Sequence, residues 1–284
     1  MRDFLELIKF EHTIFALPFA YLGMLLAAGG LPTLAQFVWI TVAMAAARTL
    51  AMGMNRIADR FIDARNPRTA NRPLVTGRIS LNTAWVGTLV AALVLTLAAW
   101  QLGPLPLRLL PGALLLLIGY SFSKRFTWLS HFILGLTDGL APIGAWVAVR
   151  GSLFTWQDLP AWILWVVVTL WIGGFDLIYA CQDVEYDRRD GLKSIPAQFS
   201  VPLALNLSIA CHLVTLLLLG WMGLLLSLSW PYWAGLVIVA GLLYWEHALV
   251  HPDDLSHIDL AFFNINSYIS LTLFLAILGA IYLP

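Results

Sequence analysis

Long runs of apolar residues, separated by short polar segments, follow one another along the whole chain. A membrane-spanning helix needs about 20 mostly apolar residues, and nine stretches approach that length. They cover residues 12–30, 35–57, 82–102, 105–121, 129–149, 159–181, 201–226, 231–249 and 259–282. The pattern therefore predicts an all-α, polytopic membrane bundle of about nine transmembrane helices, with residues 1–284 forming a single domain in the lipid bilayer.

The positions of the basic residues predict how this bundle lies in the membrane. With the N-terminus in the cytoplasm, 13 of the 16 Lys and Arg residues fall on the inner side. Only Arg108 and Arg150 fall on the outer side, and Arg48 lies within the second span. Cytoplasmic loops of membrane proteins carry such an excess of Lys and Arg. The sequence thus predicts a cytoplasmic N-terminus and a location in the cell inner (plasma) membrane.

The composition excludes several other classes of protein. Hydrophobic residues make up 60% of the chain and charged residues 11%, whereas soluble domains carry about 25% charged residues. The 16 basic residues balance 16 acidic ones, so no net positive charge favours binding to nucleic acid. Cys181 and Cys211 both lie in predicted spans, and their spacing is not that of a disulfide framework or a zinc site.

Two sets of polar residues stand at the cytoplasmic ends of predicted spans. Each set follows a four-residue spacing, and residues four apart share one face of a helix. Each set is therefore expected to present two carboxylates in one direction. An even number of spans separates the sets, so both lie on the same side of the membrane and can converge. The first set is Asn55, Asp59 and Asp63, and the second is Tyr179, Asp183 and Asp187, with Asp176 one turn earlier.

Four converging carboxylates need nearby positive charge. Two like unit charges 4 Å apart cost about 4 kcal/mol at an effective dielectric constant near 20. Oxygen ligands of this kind suit Mg²⁺, which binds through one or two carboxylates plus substrate phosphates, and Arg matches phosphate geometry. A solvated loop that only enforces topology is the alternative, but ionisable groups that begin inside apolar helices are functional by default. The predicted metal ligands are Asp59, Asp63, Asp183 and Asp187, and the predicted phosphate-binding residues are Arg68, Arg72 and Lys193.

Three stretches resemble signatures of the UbiA superfamily of intramembrane prenyltransferases. Residues 55–74 resemble its first signature, residues 176–194 the second signature of its quinone-biosynthesis members, and residues 120–127 (Tyr-Ser-Phe-Ser-Lys-Arg-Phe-Thr) a third, shorter one. The likeness covers essentially the whole chain, including the number of spans. Arg56 is a departure, because it stands where the family's first motif often has Asp.

The resemblance implies Mg²⁺-dependent transfer of a polyprenyl chain from polyprenyl diphosphate to an aromatic acid of the 4-hydroxybenzoate type, in respiratory quinone biosynthesis. The departing diphosphate leaves cationic character on the allylic carbon, and the electron-rich ring attacks that carbon. Asn55 would help orient a metal ion, and Lys124 would bind substrate. Tyr179 would lie against the cation or the ring, or alternatively form a hydrogen bond in the core. Asp176 would be a base, a metal neighbour or a structural acceptor.

The carboxylate of the aromatic acid needs a counter-charge, and two residues are candidates. Arg48 is a candidate because of its position, since a charged residue within an apolar span indicates a specific role. Alternatively, it would pair with Asp138 or extend to a surface. Arg125 is the other, from the resemblance, and is alternatively a topology-setting residue of an inner loop.

Three other functions remain as alternatives. The same chemistry on 1,4-dihydroxy-6-naphthoate would serve menaquinone synthesis. Another enzyme of the superfamily, such as a haem O synthase, would share the polar motifs. A membrane transporter would need ionisable residues near the bilayer midplane, whereas most carboxylates here stand at one end of the helices.

Two polar features near the C-terminus are interpreted as structural. Glu246 and His247, with His251 four residues later, faintly resemble a metal-ligand spacing, but we interpret them as a pair in a loop. Asn264 and Asn266 are expected to hold helices together, since polar side chains form hydrogen bonds across helix interfaces in membranes.

Overall fold

The computed structural model describes residues 2–8, 10–258 and 260–283. Lys9, which was counted among the inner basic residues, lies outside them. The described chain is helical, and these ranges contain no β-strand. Its α-helices are α1 (Arg2–Leu7), α2 (Phe10–Ala28), α3 (Leu34–Arg65), α4 (Leu81–Leu102), α5 (Pro104–Ser123), α6 (Ser130–Asp138), α7 (Leu140–Arg150), α8 (Leu159–Ala180), α9 (Val184–Asp190), α10 (Ile195–Gln198), α11 (Val201–Leu225), α12 (Trp230–Leu249) and α13 (Asn266–Tyr282).

Seven segments of the described chain are helical, long and apolar enough to cross a membrane. Five are single helices (α3, α4, α5, α11 and α12), one joins α6 to α7, and one extends from Trp156 to Asp190. The spans expected near the two chain ends correspond to shorter apolar helices, Leu17–Ala28 within α2 and α13. The all-α membrane bundle is thus confirmed, while the count of about nine and the orientation stay predictions.

Many large apolar side chains point away from the bundle. Leu93, Leu115, Leu217 and Val237 each expose 70% or more of their surface. Transferring such a side chain out of water is favourable by about 1.5–3 kcal/mol. This surface is therefore more stable in contact with lipid tails than with water. The protein is a multi-pass membrane protein.

The two polar sets stand on helices that end differently. α3 continues to Arg65, beyond the expected end at residue 57, so the whole first set lies on one continuous helix. In contrast, α8 ends at Ala180, and a 3₁₀ turn over Cys181–Asp183 precedes α9. The expectation that the second set shares one face of one helix was therefore wrong. A 3₁₀ turn has about three residues per turn, which changes the direction in which Asp183 and Asp187 point.

Close helix packing depends on glycine in α6. A Cβ atom built on Gly135 would lie 2.2 Å from the backbone oxygen of Thr169 in α8. The missing side chain therefore lets the two helices touch through their backbones. The expected span 129–149 is also divided at Gly139, where α6 ends and α7 begins.

Replacing Gly135 by Ala is expected to destabilise the protein by about 1–3 kcal/mol, the usual cost of overpacking, because backbone atoms rather than a flexible side chain must move. Gly220 in α11 has no neighbouring atom within 4 Å of such a Cβ, so Gly220→Ala is the matched control and should not lower the unfolding temperature. Thermal unfolding in detergent measures both variants. Equal unfolding temperatures would contradict the close approach of α6 to α8.

A buried polar cluster joins α11, α12 and α13. His212 Nδ1 lies 2.8 Å from His247 Nε2, and Asn266 Nδ2 donates to Glu246 Oε1 at 3.2 Å. Glu246 is completely buried within α12, so its interpretation as part of a loop pair was wrong, because the helix continues past both residues. The prediction that Asn266 holds helices together is confirmed.

Candidate active site

The carboxylates of the two polar sets meet in a cavity at one end of the bundle, while Tyr179 and Asp176 of the second set do not line it. It has a volume of about 120 Å³ and is formed by the end of α3, the loop after α3, the end of α5, α9 and the loop after α9. Most of its surface is polar, in contrast to the apolar exterior. Eight predicted site residues line it, namely Asn55, Asp59, Asp63, Arg68, Arg72, Lys124, Asp183 and Asp187.

Asp59 is almost completely buried and is surrounded by hydrogen-bond donors. Lys124 Nζ donates to Asp59 Oδ2 at 2.6 Å, and Asn55 Nδ2 donates to the same oxygen at 3.2 Å. Arg125 Nη2 donates to Asp59 Oδ1 at 3.0 Å and to the Ala58 carbonyl oxygen at 2.7 Å. Two cations from the end of α5 therefore neutralise this carboxylate.

Asp63 is held by the loop that follows α3. Arg72 Nη1 lies 2.6 Å from both carboxylate oxygens, and Thr69 Oγ1 donates to the Asp63 backbone oxygen at 3.0 Å. Asp63 is buried, so the arginine supplies the counter-charge that a buried carboxylate requires. The loop thus folds back over the end of its own helix.

Asp183 connects the second set to the first. Arg68 donates to both of its oxygens, from Nε at 3.1 Å and from Nη2 at 2.5 Å, and Asn66 Nδ2 donates at 3.1 Å. Arg68 Nη1 also donates to the Tyr179 hydroxyl at 2.7 Å. Burial of Arg68 opposes its charge, but the hydrogen bonds to Asp183 and the surrounding charges outweigh burial and raise its pKa. Arg68 therefore stays protonated and joins two segments more than 110 residues apart.

The remaining predicted residues of this region are placed differently. Ser194 Oγ donates to Asp187 Oδ2 at 2.6 Å. The Lys193 side chain is exposed and is not among the residues that line the cavity, although its backbone N–H donates to the Lys124 carbonyl oxygen at 2.8 Å. Lys193 thus connects two loops through its backbone.

Arg56, the residue that departs from the family pattern, does not line the cavity. Its guanidinium is buried and donates to the Leu7 carbonyl oxygen from Nε and to Asn55 Oδ1 from Nη1, both at 3.3 Å. It therefore attaches α1 to α3 and orients the amide of Asn55.

The oxygen atoms that the cavity offers as metal ligands fit Mg²⁺. All of its acidic and amide ligands offer oxygen, which this ion prefers. Among the described residues, no three His, Cys, Asp or Glu side chains converge closely enough to enclose a metal ion by themselves. The arrangement therefore suits ions held by one or two carboxylates and completed by phosphate oxygens, rather than an all-protein metal cage.

A larger cavity of about 370 Å³ extends among apolar side chains of α3, α5, α7 and neighbouring helices. Arg48 and Asp138 contribute charged groups to its wall. Arg48 Nη1 lies 3.6 Å from Asp138 Oδ1, so the alternative pairing is present. The buried Arg48 Nε, however, has no hydrogen-bond partner among the described residues. Arg48 Nε is thus a buried donor for which the described residues supply no acceptor.

Sequence reasoning missed several residues that organise the site. Asn66 and Ser194 lie inside the quoted signatures, where their polar character was the only signal. Tyr186 donates to the Ile62 carbonyl oxygen at 2.6 Å and fixes α9 against α3. His131 lies 2.7 Å from Asp176, and no sequence motif pointed to that contact.

Comparisons with known proteins agree with this arrangement. Residues 16–268 match the model of the UbiA prenyltransferase family. A 4-hydroxybenzoate octaprenyltransferase of Methylobacillus flagellatus is 34% identical over 263 residues, which are 92% of this chain and 86% of the relative. One of Cupriavidus pinatubonensis is 32% identical over 234 residues, which are 81% of this chain and 79% of the relative.

Solved structures share the fold. A UbiA homologue from Aeropyrum pernix has a TM-score of 0.86 at 33% identity and covers 94% of this chain and 97% of its own. A UbiA homologue from Archaeoglobus fulgidus, solved with GPP and Mg²⁺, has a TM-score of 0.67 at 18% identity, covers 95% of this chain and 99% of its own, and shows a likeness of fold alone. On the family match and the identity to these relatives, the chain belongs to the UbiA prenyltransferase family and is a membrane prenyltransferase.

Proposed function

We propose that the protein transfers a polyprenyl chain from polyprenyl diphosphate to 4-hydroxybenzoate, as a step of ubiquinone biosynthesis. The observation that carries the proposal is the meeting of four carboxylates with basic residues from separate parts of the chain, beside an apolar cavity. Relatives named 4-hydroxybenzoate octaprenyltransferase support the choice of acceptor.

The polar cavity would bind the diphosphate. Mg²⁺, when bound there, would neutralise the charge that develops on the leaving diphosphate. Asp59 and Asp63 would hold one ion from α3, with Asn55 orienting it, and Asp183 and Asp187 would hold another from the opposite wall. The presence of all four carboxylates in the lining of one cavity supports this assignment.

The basic residues would exchange partners when the diphosphate enters. Arg68, Arg72 and Lys124 each form an ion pair with a carboxylate. With Mg²⁺ held by the carboxylates, Arg68, Arg72 and Lys124 would be free to donate charge-assisted hydrogen bonds to phosphate oxygens. These three side chains would thus stabilise the charge of the leaving diphosphate.

Arg48 is the better candidate for the acceptor carboxylate. Arg125 is occupied by Asp59 and by the Ala58 carbonyl oxygen, whereas Arg48 has a donor without a partner among the described residues. Arg48 precedes Asn55 by seven residues, or about 10 Å along α3 at 1.5 Å per residue. A carboxylate held there would direct the opposite, hydroxyl-bearing edge of the ring toward the diphosphate.

The apolar cavity would hold the first part of the isoprenoid tail. Its walls are almost entirely apolar, and the rest of a long tail would extend into lipid. Such walls also exclude water, which would otherwise react with the allylic cation. The basic residues around the polar cavity support a position of the site near the cytoplasmic face of the cell inner membrane.

The test is an assay of the purified protein with radiolabelled polyprenyl diphosphate and Mg²⁺. 4-Hydroxybenzoate and 1,4-dihydroxy-6-naphthoate are offered separately, since both present a carboxylate that Arg48 would bind. We expect Mg²⁺-dependent prenylation of 4-hydroxybenzoate that a chelator abolishes. Prenylation of the naphthoate alone would assign the protein to menaquinone synthesis instead of ubiquinone synthesis. Prenylation of neither acid by folded protein that binds the diphosphate would overturn the proposal.

A further inference from the structure

His131 of α6 connects two parts of the site that are far apart in the sequence. Its side chain is buried and lies between α8 and the start of α10. Nδ1 is 2.7 Å from Asp176 Oδ2, and Nε2 is 3.2 Å from the backbone nitrogen of Ile195. Both ring nitrogens are therefore used.

The partner on each side fixes which nitrogen carries the proton. A backbone N–H can only donate, so Nε2 of His131 accepts from Ile195 and is unprotonated. A neutral imidazole then carries its proton on Nδ1 and donates it to Asp176. The surrounding backbone thus selects the tautomer of His131 that donates to Asp176.

The contacts of His131 extend toward the polar cavity through the loop that carries Ser194 and Ile195. Ser194, the residue before Ile195, is buried, and its Oγ donates to Asp187 Oδ2 at 2.6 Å. Contacts therefore run from Asp187 through Ser194 and the Ile195 backbone to His131 and Asp176. The short loop with Ser194 and Ile195 therefore contacts the predicted metal ligand Asp187 directly and Asp176 through His131.

Of the two side chains in the contact between His131 and Asp176, that of Asp176 is the more accessible. Its side chain is 23% exposed, compared with 4% for His131. It lies one turn before Tyr179 on α8. Its charge repels that of Asp138, the carboxylate that pairs with Arg48. Asp176 lines neither of the two cavities, but it is close enough to Asp138 in the apolar cavity wall for their charges to interact.

We propose that His131 is a positioning residue, which fixes one oxygen of Asp176 so that the other oxygen accepts the proton that the aromatic acceptor loses. The new bond joins a ring carbon to the allylic carbon, while the allylic C–O bond breaks and its electron pair leaves with the diphosphate. The ring C–H bond then breaks, its electron pair restores aromaticity, and its proton passes to the Asp176 carboxylate. This inference rests on the proposed transfer to an aromatic acid.

Three substitutions of His131 separate positioning from a structural role. Ala removes both hydrogen bonds. Asn places an amide N–H near the position of Nδ1 and so can still donate to Asp176. Gln reaches the position of Nε2, where its oxygen can accept from Ile195 but its side chain no longer donates to Asp176. His257, an exposed histidine, provides the control variant His257→Ala.

We expect His131→Ala to lower kcat roughly 100-fold, within the range of general acid–base effects, with little change in KM for either substrate. Asn should recover much of the loss, Gln should recover none, and His257→Ala should behave as wild type. Adding Asp176→Asn to His131→Ala should cause no further loss, because coupled residues are not additive. Ring-deuterated 4-hydroxybenzoate should give a primary isotope effect in His131→Ala that is smaller in wild type.

Other outcomes would overturn the inference. Rescue by Gln but not by Asn would make the bond to Ile195 the important one and the role structural. Multiplicative losses in the double variant, or the same isotope effect in wild type and His131→Ala, would remove Asp176 as the proton acceptor. If His131→Ala does not fold, the comparison of Asn with Gln decides alone. An inactive wild-type protein would instead contradict the proposed function.

Discussion

Replacing Asp59 by Asn is expected to lower kcat/KM for prenyl transfer by roughly a hundredfold to a thousandfold, the scale on which removal of one preorganised electrostatic group acts. Asp59 is almost completely buried and accepts hydrogen bonds from Lys124, Arg125 and Asn55. Asn removes the charge that would attract a metal ion and turns an N–H₂ group toward cationic donors. Steady-state kinetics at several Mg²⁺ concentrations measure the effect.

The control for this prediction is Glu185→Gln, which removes one negative charge from an exposed position of α9. We expect its kcat/KM and Mg²⁺ requirement to equal those of the wild type. Wild-type kinetics in Asp59→Asn would show that the buried carboxylate only anchors Lys124 and Arg125, and the assignment of a metal site would then be wrong.

Replacing Arg48 by Gln is expected to raise KM for 4-hydroxybenzoate about 30-fold, because truncating one member of a buried, hydrogen-bonded charge pair costs about 2 kcal/mol or more, and 1.4 kcal/mol is tenfold in affinity. KM for the polyprenyl diphosphate should not change, since Arg48 lies in the wall of the apolar cavity rather than the polar one. Kinetics with each substrate varied in turn measure both constants.

The methyl ester of 4-hydroxybenzoate provides the matched comparison, because it keeps the ring and the hydroxyl but carries no charge. In the wild type the acid should be strongly preferred over the ester, and in Arg48→Gln that preference should disappear. Arg125→Gln should lower kcat through Asp59 and leave the preference intact. If Arg125→Gln loses the preference and Arg48→Gln keeps it, Arg125 rather than Arg48 binds the acceptor carboxylate.

The features that could be predicted from the sequence depend on local periodicity. Apolar runs predicted the helices because a span must satisfy its own backbone hydrogen bonds in lipid. The four-residue spacing of Asn55, Asp59 and Asp63 predicted a shared face, and α3 provides it. The convergence of the carboxylates followed from their position on the same side of the bundle, and Asp59, Asp63, Asp183 and Asp187 line one cavity, whereas Tyr179 and Asp176 do not line it.

The features that could not be predicted depend on packing between distant segments. The 3₁₀ turn at Cys181–Asp183 interrupts a run whose spacing alone looked continuous. The contact of His131 with Asp176 spans 45 residues and follows from the packing of α6 on α8, which Gly135 permits. The pairing of each cation with one carboxylate depends on how the loop after α3 folds, and charge counts do not specify it.

The most direct test is an experimental structure with Mg²⁺, 4-hydroxybenzoate and a thiolodiphosphate analogue of the prenyl donor, which does not release its tail. We predict that the two phosphorus atoms lie in the polar cavity between α3 and α9, within contact of Arg68, Arg72 and Lys124. The tail should enter the apolar cavity, and the acceptor carboxylate should meet Arg48. A diphosphate bound away from the four aspartates, or an acceptor carboxylate on the far side of the bundle from Arg48, would contradict the account.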